Sequence, residues 1–225
     1  HGKWPYAPIL HLPGGSSNVI SNKLFPAGAS PADIIAQYPV VKKGSVLKAT
    51  DRKEDENSTF ALQVFLGGLD CGLIEVLESN RHGIYAVIGM LGMLHIILDN
   101  VFQMSSQYKD PAVLSLFNSQ HEANGINFQF GNNRLNENMA VIQVDKFDSG
   151  FQALGLFKSM KSGQLVKDWK AGMLKKHVDM RLATTYVHEG PLKLLADGSN
   201  AISLKANDGV TFEVLPKAIP FWTPA

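Results

Sequence analysis

The sequence predicts an α+β fold: a single domain with a buried central helix, antiparallel hairpins and a C-terminal three-stranded β-meander. Three observations carry this. Residues 83–106 are apolar on all sides of a helical projection, as a helix enclosed by other elements must be. Alternating runs late in the chain are separated by Asp197-Gly198-Ser199-Asn200 and Asn207-Asp208-Gly209. Those residue types accept φ > 0 and so mark hairpin turns. Finally, no regular strand–helix–strand alternation runs through the chain, which argues against a doubly wound parallel sheet.

Residues 1–29 combine Pro5, Pro8, Pro13 and Pro26 with Trp4, Tyr6, Ile9 and Leu10. Proline fixes φ and lacks an amide donor, so this stretch is expected as an extended apolar arm. Ser30-Pro31-Ala32-Asp33 starts a helix, with a capping serine, a first-turn proline and an acid at the positive dipole end. Pro39 stops that helix. Residues 40–49 form a strand and 51–58 a polar loop. Residues 60–66 and 73–77 are expected as strands joined through the glycine-rich 67–72, with strand, turn and helix as the competing pattern.

Asp110-Pro111 opens a short helix to residue 118. Residues 126–130 and 139–144 alternate as a hairpin with a long loop. Helical spacing recurs over 148–161 (Phe151, Leu154, Phe157) and 164–187 (Val166, Trp169, Met173). The meander strands are 192–196, 201–206 and 210–215. Residues 216–225, with Pro216, Pro220, Phe221 and Trp222, form an extended tail. The expected organisation is therefore an arm (1–29), a core domain (30–215) and a tail (216–225).

Of 225 residues, 45% are hydrophobic and 18% charged, and the net charge is +1. That supports a sizeable core and supplies no global field for nucleic acid, acidic ligands or a membrane surface. Any such partner needs a local patch. Cys71 is the single cysteine, which excludes an intramolecular disulfide and a thiolate-rich metal site. A reducing compartment and a secreted chain without bridges both fit. Residues 83–98 fall short of the ~20 that a bilayer-crossing helix needs.

No P-loop, Gly-x-Gly-x-x-Gly, His-Glu-x-x-His or Gly-x-Ser-x-Gly motif is present. If the turn at 67–72 led into a helix, free amides would favour Cys71 as a nucleophile, with Asp70 beside it. A buried, inert cysteine is the simpler expectation. His1 is the candidate metal ligand if it is a mature N terminus, through its amine and imidazole; no metal or other cofactor is expected. Lys167, Lys170, Lys175, Lys176 and Arg181 lie in a basic helical segment, 158–181, on which a polyanion such as nucleic acid could dock.

The expected function is a non-enzymatic structural or assembly subunit, of the virion, appendage or secretion-machine type. Its partners would be copies of itself or other subunits, met through Trp4, Tyr6, Ile9, Leu10, Phe221 and Trp222. Large apolar side chains each contribute ~1.5–3 kcal/mol when sheltered from water. The alternatives are an enzyme with a dispersed site using Cys71 and Asp70, and a polyanion-binding module.

Overall fold

The computed structural model describes residues 30–36, 40–54, 57–62, 64–79, 112–118, 138–161, 171, 178–197 and 199–223. They are mostly strand. In chain order they form α1 (Pro31–Ala36), β1 (Val40–Asp51), β2 (Ser58–Ala61), β3 (Val64–Gly68), α2 (Leu69–Ser79), β4 (Val113–Asn118) and β5 (Met139–Val144). There follow α3 (Gly150–Lys161), β6 (Val178–Ala183), β7 (Thr185–Glu189), β8 (Leu192–Ala196), β9 (Ser199–Ala206) and β10 (Gly209–Thr223). One sheet has four strands in the order β2-β1-β10-β7, the other six in the order β6-β5-β4-β3-β8-β9, and the described pairings are antiparallel.

This corrects the α+β expectation. The helix expected over 83–106 lies outside the described residues, and the core among those described is built by strands. Side chains alternate across a strand, and the six-stranded sheet uses both faces. From its inner face Phe65, Leu114, Leu116, Met139, Val141 and Leu194 pack against Leu47, Ala49, Phe212 and Val214 of the four-stranded sheet. From its outer face Val64, Val113, Phe117, Ala140, Ile142 and Val144 pack against Leu69 and Leu73 of α2 and Ala153 and Leu156 of α3. The result is three layers: sheet, sheet, helices.

Covering both faces explains one misread element. All six residues of β4 are buried, so it lacks the polar-apolar alternation of a half-exposed strand. With Asp110-Pro111 ahead of it, the segment reads as a helix start; the structure makes it the strand between β3 and β5. Residues 164–187 are corrected too. From Val178 onward they are β6 and β7, with alternating burial. The partner expected for β5 at 126–130 lies outside the described residues, and β5 pairs instead with β4 and β6.

The meander is also redrawn. β8 and β9 form a hairpin in the six-stranded sheet, whereas β10 crosses to the other sheet and lies between β1 and β7. Past Leu215, residues 216–218 bulge opposite Ser45, with Lys217 at φ 55°. Pro216 cannot donate to a ladder, which favours a bulge there. Pairing then resumes, with Lys42 opposite Phe221 and Val41 opposite Trp222. Residues expected in a free tail thus continue a strand of their own domain.

Two polar ties hold the corners. Asn118 Nδ2 donates to the carbonyls of Ser45 at 2.9 Å and Leu62 at 3.0 Å, linking the end of β4 to the other sheet. Asp197 accepts the amides of Leu62 at 2.8 Å and Val64 at 3.0 Å. At the start of α1, Ser30 and Asp33 cap each other reciprocally, as the sequence implies.

Candidate functional site

The glycine-rich segment expected as a hairpin turn is instead a strand-to-helix junction. Gly68 ends β3 at φ 65°, a left-handed conformation in which a Cβ is strained. Gly67 is crowded: a Cβ there would stand 3.3 Å from both Leu192 Cδ1 and Leu194 Cδ2. The chain turns sharply, the Leu69 amide donates to the Ala112 carbonyl at 2.8 Å, and Asp70 falls in the first turn of α2. An acid there suits the positive end of the helix dipole.

Asp70 faces the six-stranded sheet. Its Oδ2 accepts a 2.5 Å hydrogen bond from Ser115 Oγ on β4, and Ser115 is fully buried. Its Oδ1 is buried and has no hydrogen-bond partner. Burial pushes the carboxyl up to about 6, while the Ser115 bond pulls it down. A buried carboxylate oxygen without a donor is costly to keep charged, in line with the upward shift. Serine within the otherwise apolar Val113-Leu114-Ser115-Leu116-Phe117 was the available sequence signal for this partner; it was missed.

Cys71 is buried beside Asp70. Burial, then the charge of Glu75, pushes its thiol up to about 11, against a smaller downward pull from Lys193. A thiol protonated at neutral pH is a poor nucleophile, so of the two residues named from the sequence only Asp70 has the properties of a reactive group. Glu75 itself is ion-paired with Lys193 of β8.

The other expected site residues scatter. His1, Trp4, Tyr6, Ile9, Leu10, Lys167, Lys170, Lys175 and Lys176 lie outside the described residues. Arg181 is on β6 rather than a helix, its guanidinium 5.0 Å from the Tyr186 ring centre. Tyr186 in turn donates to Gln143 at 2.8 Å. Among the described residues no group of three or more His, Cys, Asp or Glu side chains gathers as a metal site.

The chain is similar in fold to diacylglycerol kinases. Three solved structures from Bacillus anthracis str. Sterne, one described as a diacylglycerol kinase and two as a putative diacylglycerol kinase, match 96% of it at 16% identity, with TM-scores of 0.54, 0.57 and 0.56. The matches cover 66%, 68% and 69% of those chains, so this chain spans about two thirds of their length. No family model matches the chain, and no curated protein matches it by sequence. That likeness in fold runs against the expectation of a non-enzymatic virion, appendage or secretion-machine subunit. The backbone of Phe221 and Trp222 pairs with β1.

Proposed function

We propose that this chain belongs to a lipid kinase that transfers the terminal phosphoryl group of ATP to the hydroxyl of a diacylglycerol-like lipid. One observation carries the proposal: the agreement in fold with diacylglycerol kinase structures over 96% of the chain. Asp70 supplies the local chemistry. Phosphoryl transfer asks a protein mainly to position the nucleophile and stabilise charge. In the reaction the lipid oxygen forms a bond to the γ-phosphorus, the bond from that phosphorus to the β–γ bridging oxygen breaks, and the lipid hydroxyl loses its proton. The Asp70 Oδ1, buried and without a donor, is suited to accept that hydroxyl's hydrogen bond and then its proton.

The test is transfer of label from γ-labelled ATP to diacylglycerol presented in mixed detergent micelles. Labelled phosphatidic acid is expected, and Asp70→Asn should slow its formation by roughly a hundredfold or more, the usual worth of a positioned proton acceptor. Absence of labelled lipid from folded protein would overturn the kinase assignment. Full activity in Asp70→Asn would remove the role given to Asp70.

A further inference from the structure

β4 runs between β3 and β5 in the six-stranded sheet, and its side chains alternate between the two faces. Leu114 and Leu116 pack toward the other sheet. Val113 and Phe117 pack toward the helices, and Ser115 lies between them on that side. It is fully buried, with Leu66 of β3 and Ile142 of β5 opposite it in the ladder. A buried hydroxyl is costly unless it is hydrogen-bonded, and this one donates to Asp70 Oδ2 at 2.5 Å. That length is typical of a hydroxyl bonded to an ionised carboxylate. The donor therefore stands on a strand paired on both sides, and the acceptor on the first turn of α2.

We propose that Ser115 is a positioning residue for phosphoryl transfer: it holds Oδ2 of Asp70 so that Oδ1 is the oxygen that takes the lipid proton. The inference rests on the kinase assignment and deepens it. The terminal torsion of an aspartate is broad, so an unheld carboxyl presents either oxygen. The serine bond fixes its plane and occupies Oδ2. Oδ1, buried and without a hydrogen-bond partner among the described residues, is left to be protonated. As the lipid oxygen bonds to the γ-phosphorus and the β–γ bridging oxygen departs, the hydroxyl proton passes to Oδ1 while Oδ2 keeps the serine. The same bond favours the charged carboxylate against the burial that opposes it. The ionisable groups on the elements around Asp70 are few. α2 carries Cys71, Glu75 and Glu78, β8 carries Lys193, β9 carries Lys205, and α3 on the same side of the sheet carries Lys158 and Lys161; β3 and β4 carry none. Glu75 and Lys193 are paired with each other, and the influence that lowers the Asp70 carboxyl is the Ser115 bond.

Ser115→Ala and Ser115→Thr, compared with wild type in two measurements, test this. The first titrates Asp70 directly by NMR of its labelled carboxyl carbon, with neither ATP nor lipid present. The wild-type carboxyl titrates at about 6. Ser115→Ala is expected to raise that midpoint by about one pH unit, and Ser115→Thr, which keeps a hydroxyl, to restore it. The second follows kcat for labelling of diacylglycerol in micelles as a function of pH. The acidic limb should move up in Ser115→Ala by the same amount, a loss of about tenfold below it, with KM for ATP unchanged. A uniform loss of rate with limb and titration unmoved is the behaviour of a merely structural serine and would overturn the proposal. So would a folded Ser115→Thr variant that behaves as the alanine variant does. A raised titration in protein that labels no lipid overturns the kinase assignment and leaves the serine's hold on Asp70 standing; an unmoved titration in an active enzyme does the reverse.

Discussion

Ser115 Oγ donates to Asp70 Oδ2 at 2.5 Å, tying an interior strand of the six-stranded sheet to the first turn of α2 while Oδ1 is left without a donor. Two pressures therefore act on one carboxyl. Burial favours the neutral form and the serine bond favours the charged one, and burial is the larger.

Stability should consequently depend on pH through this residue. The native carboxyl titrates at about 6 and the unfolded one near 3.8. The native state thus holds its proton to higher pH. The stabilising share of the neutral form is complete below the unfolded value and is lost as pH rises through the native one. A displacement of this size amounts to about 3 kcal/mol. Urea unfolding of wild type and Asp70→Asn at about pH 4 and pH 7 should show the variant gaining on wild type by up to that amount at the higher pH. Parallel pH profiles would contradict the burial account.

Asn118 should be a strong stability determinant away from the site. Its amide serves carbonyls on β1 and in the β2–β3 corner. Asn118→Leu leaves two acceptors without that donor and should cost about 2–4 kcal/mol. The check is a lower urea midpoint with an unchanged slope, since compactness is not at issue.

Cys71 should resist modification. With its thiol pushed up to about 11 and its side chain buried, a disulfide reagent should react slowly with the native protein and at once after denaturation. Cys71→Ala should keep phosphoryl transfer. Rapid native labelling with loss of activity would restore the cysteine as the reactive group.

Elements whose local pattern agrees with their surroundings were readable from sequence. The Ser30–Asp33 cap, the strand at β1, the alternation of β5, the spacing of α3 and the strand positions of β8 to β10 all follow from local rules. Three others depended on tertiary context. β4 is buried on both faces, which erases alternation. At 178–187 a two-residue period falls inside the helix expected over 164–187, because the helical spacing of Val166, Trp169 and Met173 precedes it. Gly67-Gly68 is equally good as a hairpin turn or a helix entry by local rules, and the structure makes it a helix entry with Gly68 at φ 65°. Asp70 was named from the sequence, but its partner Ser115 is 45 residues away and no local rule joins them.

The pairing of β1 with β10 has a consequence for the growing chain during translation. Residues 40–51 find their long neighbour only among residues 209–223. Until those emerge from the ribosome, the four-stranded sheet consists of the β1–β2 hairpin, and an isolated hairpin is marginal in water. Leu47 and Ala49 then lack Val214 and Phe212 opposite them, so the nascent polypeptide carries an uncovered apolar edge until residues 209–223 emerge. Such late, distant closure makes for slow folding and for exposure to aggregation.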